Sequence, residues 1–113
     1  MRLGGAAWLF AHNALWRLTG REASGRALVR ALGAADEDLR TIAGMFLARA
    51  GARSGPLLRE VLRRRENLLM VLAILGDIGD RNFEPELTRL SRDPDPAVAK
   101  AAQDALRVLA ARR

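Results

Sequence analysis

The feature that most constrains this fold is an apolar stripe that occurs four times along the chain. In each copy six positions recur at steps of three, one, three, one and three residues, which is the pattern of one face of a helix. Only Asn67 among these twenty-four positions is polar. The copies are Ala7, Phe10, Ala11, Ala14, Leu15, Leu18; Leu39, Ile42, Ala43, Phe46, Leu47, Ala50; Asn67, Met70, Val71, Ile74, Leu75, Ile78; and Val98, Ala101, Ala102, Ala105, Leu106, Leu109.

Shorter apolar segments lie between the stripes, so the whole chain has a period of roughly 30 residues. The spacing predicts long helices near 5–18, 36–50, 66–78 and 96–111, and short helices near 22–32, 55–64 and 83–91. Units of this length bury their apolar faces by stacking on their neighbours. We therefore expect one all-α domain over 1–113, a right-handed α-solenoid with units at approximately 1–33, 34–64, 65–92 and 93–113.

The residues at the expected helix ends repeat as well. Glycine follows each of the first three stripes, where a left-handed cap ends a helix: these are Gly20, Gly51 and Gly79. Acidic caps are expected at Asp36 and Asp95, before the second and fourth long helices. Ser54 and Asn82 are the predicted caps of the second and third short helices.

The third long helix contains eight consecutive apolar residues, from Leu68 to Leu75. Such a run is far shorter than the ~20 residues that span a bilayer, so it predicts a helix that is buried on most sides and no membrane insertion. Leu68, Leu69 and Leu72 lie off its inward stripe. If these leucines are exposed, they form a patch for a protein partner or a second copy of the chain.

Two segments resemble HEAT repeats: Asp36 to Gly51, and Asp93 to Leu106 with its opening DPDPAV. The short spacing is similar to the variant named after phycobilisome lyases. The resemblance implies about three and a half stacked helical hairpins that bind another macromolecule. It also leaves open a subunit of a chromophore lyase-like enzyme or a base-excision glycosylase. The family's aspartate and arginine pair, seen here as Asp36 and Arg40, is lost in later units, which predicts a polar ladder broken after Arg40.

The chain has a net charge of +6, with eighteen arginines, one lysine and no cysteine. The missing cysteines exclude disulfides and thiolate sites and fit a cytoplasmic protein. The densest basic cluster suggests an alternative function, nucleic-acid binding through phosphate contacts, although no aromatic side chain lies beside it to stack on bases. Its members are Arg53, Arg59, Arg63, Arg64 and Arg65.

Trp8 and Trp16 are eight residues apart, so we expect them to share one side of the first helix. They either cover the end of the array or anchor a partner. The single histidine, His12, is expected on the helix surface, and no catalytic, cofactor-binding or metal-ligating set is recognisable. The sequence thus predicts a non-enzymatic protein-binding or scaffold module, either complete or part of a longer array, with a protein partner and possible homodimerisation.

Overall fold

The computed structural model describes residues 3–112, and every regular element within that range is helical. The all-α prediction is confirmed, and every predicted helix overlaps an observed one. The helices are α1 (Leu3–Thr19), α2 (Glu22–Ala31), α3 (Glu37–Ala50), α4 (Gly55–Arg64), α5 (Leu68–Ile78), α6 (Glu84–Leu90) and α7 (Pro96–Ala111), with 3₁₀ turns at Gly51–Ser54 and Arg81–Phe83.

Local capping chemistry explains most of these boundaries. The Asp36 carboxylate accepts hydrogen bonds from the N–H groups of Asp38 and Leu39, at 2.8 and 3.4 Å, and so begins α3. Asp95 does the same for α7 through the N–H of Ala97, at 2.9 Å. All three predicted glycine positions have a positive φ, from 60° to 72°. The predicted acidic caps are confirmed, and so is a glycine of positive φ after each helix, although the ψ of −130° places Gly51 outside the left-handed helical region.

Two other predicted caps are wrong. Asp80, and not Asn82, opens the 3₁₀ turn before α6, because its carboxylate accepts the N–H of Asn82 at 2.9 Å. The hydroxyl of Ser54 makes no cap; it is fully buried and donates to the carbonyl of Leu47 at 2.6 Å. Ser54 therefore ties the end of α3 to the start of α4.

The four long helices contact one another in chain order: α1 packs on α3, α3 on α5, and α5 on α7. The short helices pack against them, with α2 on α1 and α3, α4 on α5, and α6 on α7. A Cβ atom at Gly76 of α5 would lie only 3.4 Å from the Cα of Ala105, so α5 and α7 approach closely. Helices α3 and α5 each have a neighbour on two sides, whereas α1 and α7 form the ends of the layer.

Apart from the exposed Asn67, the stripe predicted to face inward is buried or partly buried in α3, α5 and α7, but not in α1. All six stripe residues of α1 are exposed, and the helix instead buries Ala6, Leu9 and Trp16. Trp16 packs against Gly25 of α2, where a Cβ atom would lie 2.8 Å from the indole Nε1. With this contact, α1 is rotated about its own axis by roughly a quarter to a half turn from the orientation that the stripe predicted.

Candidate functional site

The side of α1 that faces away from the other helices carries large apolar side chains. Trp8 is 48% exposed, Phe10 58%, Leu15 39% and Leu18 85%. No residue from Leu3 to Trp16 is charged. We call this surface the open face of α1, and it comprises Ala7, Trp8, Phe10, Ala11, Ala14, Leu15 and Leu18. Single exposed apolar residues are ordinary, but a contiguous set of this kind marks a binding surface.

Only one of the two tryptophans belongs to this surface. Trp16 is 3% exposed and lies in the core, so the prediction that both tryptophans cover the end of the array or anchor a partner is wrong for Trp16. Trp8 is half exposed and packs edge-on against the ring of His12, with centroids 4.5 Å apart. Phe10 makes a similar contact with Phe46 of α3, at 5.0 Å. These contacts hold the two exposed aromatic rings in place without covering them.

His12 is partly buried beneath this surface, which corrects the expectation of a surface histidine. Its Nδ1 lies 3.2 Å from the hydroxyl oxygen of Ser24, and Trp8 covers one side of its ring. Across residues 3–112, no three His, Cys, Asp or Glu side chains come together as a metal-binding set. The observed contacts give His12 a packing role between α1 and α2.

The apolar patch predicted on α5 is mostly absent from the surface. Leu72 is fully buried and Leu68 is 9% exposed, while Leu69 is 51% exposed. The sequence left the exposure of these leucines open; α5 lies between α3 and α7, so two sides of the helix are covered. Leu69 lines a shallow groove with Val108 of α7. What remains is a small apolar groove rather than a broad patch.

Most arginines of the predicted anion-binding cluster have intramolecular partners. Arg53 donates to the carbonyl of Arg17 at 2.6 Å, and Arg64 pairs with Glu60 at 2.9 Å. The Arg63 side chain is exposed, and no ion pair or hydrogen bond joins it to another described residue. Four of the five arginines, Arg53, Arg59, Arg64 and Arg65, therefore already make contacts within the chain.

Two further arginines of that cluster connect successive units. Arg59 of α4 pairs with Glu86 of α6, and its guanidinium lies 4.7 Å from the centre of the Phe83 ring. Arg65, just after α4, makes two hydrogen bonds to the carboxylate of Asp93, at 3.0 and 3.1 Å. These contacts connect α4 to α6 and to the loop before α7 through residues other than the aspartate and arginine pair seen at Asp36 and Arg40.

The Arg65–Asp93 pair shifts the titration of both groups. Hydrogen bonding to Arg65, together with the N–H of Asp95, lowers the pKa of Asp93, and the same pairing raises the pKa of Arg65. Both groups are thus held in their charged forms. A paired guanidinium of this kind stabilises the loop between α6 and α7 and is less available to an external phosphate.

The opposite end of the helical layer has a different surface. The outer side of α7 carries Lys100, Asp104 and Arg107, and Asp104 forms ion pairs with both basic residues. The side chains of Lys100 and Arg107 are each 74% exposed. A charged face of this kind is suited to contact with water, as the outer faces of terminal repeats are. The open face of α1 has no comparable charged row.

Comparison of the chain with protein-family models, with curated proteins and with solved structures finds no match. Within residues 3–112, no helix has the combination of length and apolar character needed to cross a bilayer. Any inference about function must therefore come from the surfaces of the chain itself. Sequence reasoning missed Phe10, Leu15 and Leu18 as surface residues. The available signal is that α1 carries apolar residues on every side, with no charged residue from Leu3 to Trp16.

Proposed function

We propose that this chain is a non-enzymatic protein-binding module, and that its binding surface is the open face of α1. The observation that carries the proposal is the exposure of four large apolar side chains on one uncharged helix side: Trp8, Phe10, Leu15 and Leu18. Two of them are aromatic and are held by neighbouring rings. Aromatic side chains in fixed positions are favoured anchors of protein interfaces, because little conformational entropy is lost when they are covered.

We further propose that the helical layer is a short right-handed α-solenoid of HEAT-like units. Contacts between successive long helices, α1 with α3, α3 with α5 and α5 with α7, support this arrangement. The recurrence of the same acidic cap at Asp36 and Asp95 supports it as well. In such an array each internal helix is covered by its neighbours, so the surface of an end helix is available to another protein.

Nucleic-acid binding through the arginine cluster is the weaker candidate. A phosphate would have to compete with the carboxylates that already bind Arg59, Arg64 and Arg65. Those contacts occupy the same guanidinium donors that would neutralise a nucleic-acid backbone. Leu18 of the open face, in contrast, is 85% exposed, so a binding partner would not have to displace an intramolecular contact there.

The test is photo-cross-linking in living cells. A photoreactive amino acid replaces Leu18 in one variant and Gln103 in the control, because Gln103 is also exposed but lies on α7 at the other end of the layer. We expect protein adducts from position 18 and few from position 103. If neither position yields a protein adduct, or if position 103 yields the same adducts as position 18, binding through the open face of α1 is refuted.

A further inference from the structure

We propose that the open face of α1 pairs with the same face of a second copy of this chain, with the two α1 helices antiparallel. This inference rests on the proposed function and names the partner. The first support is the repeat itself. The exposed stripe of α1 occupies the positions that α3, α5 and α7 use for packing, yet in α1 all six of these apolar residues stay exposed, including Phe10 despite its contact with Phe46 of α3.

The second support is that this surface is complementary to itself. A two-fold interface places the same patch on both copies, so charged groups in its centre would face like charges. The open face has none. Ala7, Ala11 and Ala14 form its middle and allow two helix backbones to come close, while Trp8 and Leu15 form one flank. An antiparallel pair centred near Ala11 brings Trp8 of each copy against Leu15 of the other.

The third support is the difference between the two ends of the layer. The end formed by α7 carries a row of exposed charges, including Lys100 and Arg107, which suits contact with water. The end formed by α1 lacks such a row. Joining two copies through α1 produces a continuous array of helices in which both outer ends are the charged α7 surface.

The size of the surface sets the strength that we expect. The exposed parts of the four large side chains amount to roughly 500 Å² per copy, or about 1,000 Å² for the pair. That total lies at the lower end of specific protein interfaces, so dimerisation should be weak and should depend on concentration. Each chain carries a net charge of +6, so salt should strengthen the pairing by screening the repulsion between copies.

A single-cysteine experiment tests the pairing on the full chain. The natural sequence has no cysteine, so any cross-link formed by a single-cysteine variant joins two molecules. We compare Ala11→Cys, at the proposed centre of the interface, with Gln103→Cys on α7; both positions are exposed. With a short bis-maleimide reagent, Ala11→Cys should cross-link at least ~10-fold faster, because pairing raises the local thiol concentration. Adding Leu18→Glu should reduce that rate to the level of the control.

Three results would overturn the inference. The first is equal cross-linking of Ala11→Cys and Gln103→Cys, and the second is a fast rate that Leu18→Glu does not change while circular dichroism shows intact helices. The third is a chain that stays monomeric but sediments with vesicles containing phosphatidylglycerol, because the open face would then bind an anionic membrane. If self-pairing fails while the photoreactive residue at position 18 captures a different protein, the proposed function stands and only the identity of the partner is wrong.

Discussion

Replacing Leu72 by alanine should destabilise the fold strongly, whereas the same change at Leu69 should not. The two leucines are three residues apart in α5, but Leu72 is fully buried and Leu69 is 51% exposed. Removing a buried leucine costs about 2–5 kcal/mol, and α5 and α7 are too close at Gly76 for the backbone to fill the space easily. We therefore expect a loss of about 3 kcal/mol for Leu72→Ala and less than about 1 kcal/mol for Leu69→Ala.

Equilibrium urea unfolding of the two variants and the natural chain measures this difference directly. A domain of this size has a free energy of unfolding of about 5–15 kcal/mol, so Leu72→Ala should remain folded in water while its midpoint falls clearly. Leu69→Ala is the matched control, because it removes the same atoms from the same helix. If the two free energies of unfolding differ by less than about 0.5 kcal/mol, the placement of α5 between two covering helices is wrong.

Three further predictions concern packing and charge. Gly25→Ala should destabilise the chain by about 1–3 kcal/mol, because the added Cβ would lie 2.8 Å from two side-chain atoms. At Gly44 the atom nearest to an added Cβ lies 3.7 Å away, so Gly44→Ala should stabilise α3 by up to about 1 kcal/mol. Thermal unfolding distinguishes the two variants. Ser54→Ala should cost about 1–2 kcal/mol, measured by urea unfolding, through loss of a buried hydrogen bond. Asp93→Asn should destabilise at pH 7. Arg65 lowers the pKa of Asp93 on folding. The difference in the free energy of unfolding between the natural chain and the variant should therefore disappear as the pH falls below the ordinary carboxyl pKa of 3.8 and through the folded-state pKa. A difference between the two proteins that is constant from pH 7 to about pH 2 would contradict this assignment.

The sequence was sufficient to predict the helices because their ends depend on local chemistry. A carboxylate at Asp36 or Asp95 bonds to N–H groups two or three residues ahead, and glycine at position 20 or 79 adopts a positive φ beside its own helix. Neither interaction requires a distant contact. Ser54 shows the limit of this reasoning, because its hydroxyl found a partner seven residues back, in the preceding helix.

The orientation of α1 could not be predicted from periodicity. A helix with apolar residues on every side has no stripe that selects one face for the core. The choice depends on how the indole of Trp16 fits over Gly25 of α2, which is a tertiary contact. The same holds for Leu72, which lies off the inward stripe of α5 but is covered because that helix has two neighbours.

The partners of the arginine cluster could not be predicted for a similar reason. Arg65 and Asp93 are 28 residues apart, and Arg59 and Glu86 are 27 residues apart, so each pair depends on the tertiary packing of different helices. The available signal for these pairs was that the two residues of each are separated by nearly one repeat period. Arginines and acidic residues at many other positions have the same separation. The basic run alone therefore predicted an anion-binding surface but not the ion pairs that Arg59 and Arg65 make with Glu86 and Asp93.

The most direct test of the open face of α1 is the mass of the chain in solution, measured by light scattering across protein concentration at low and high salt. We predict that the mass rises from 12.4 kDa toward twice that value with increasing concentration, and that it rises at lower concentrations when the salt is high. The Leu18→Glu variant should stay at 12.4 kDa throughout while keeping its helical circular dichroism spectrum. A natural chain that remains monomeric at every concentration and both salt levels would contradict self-pairing through α1.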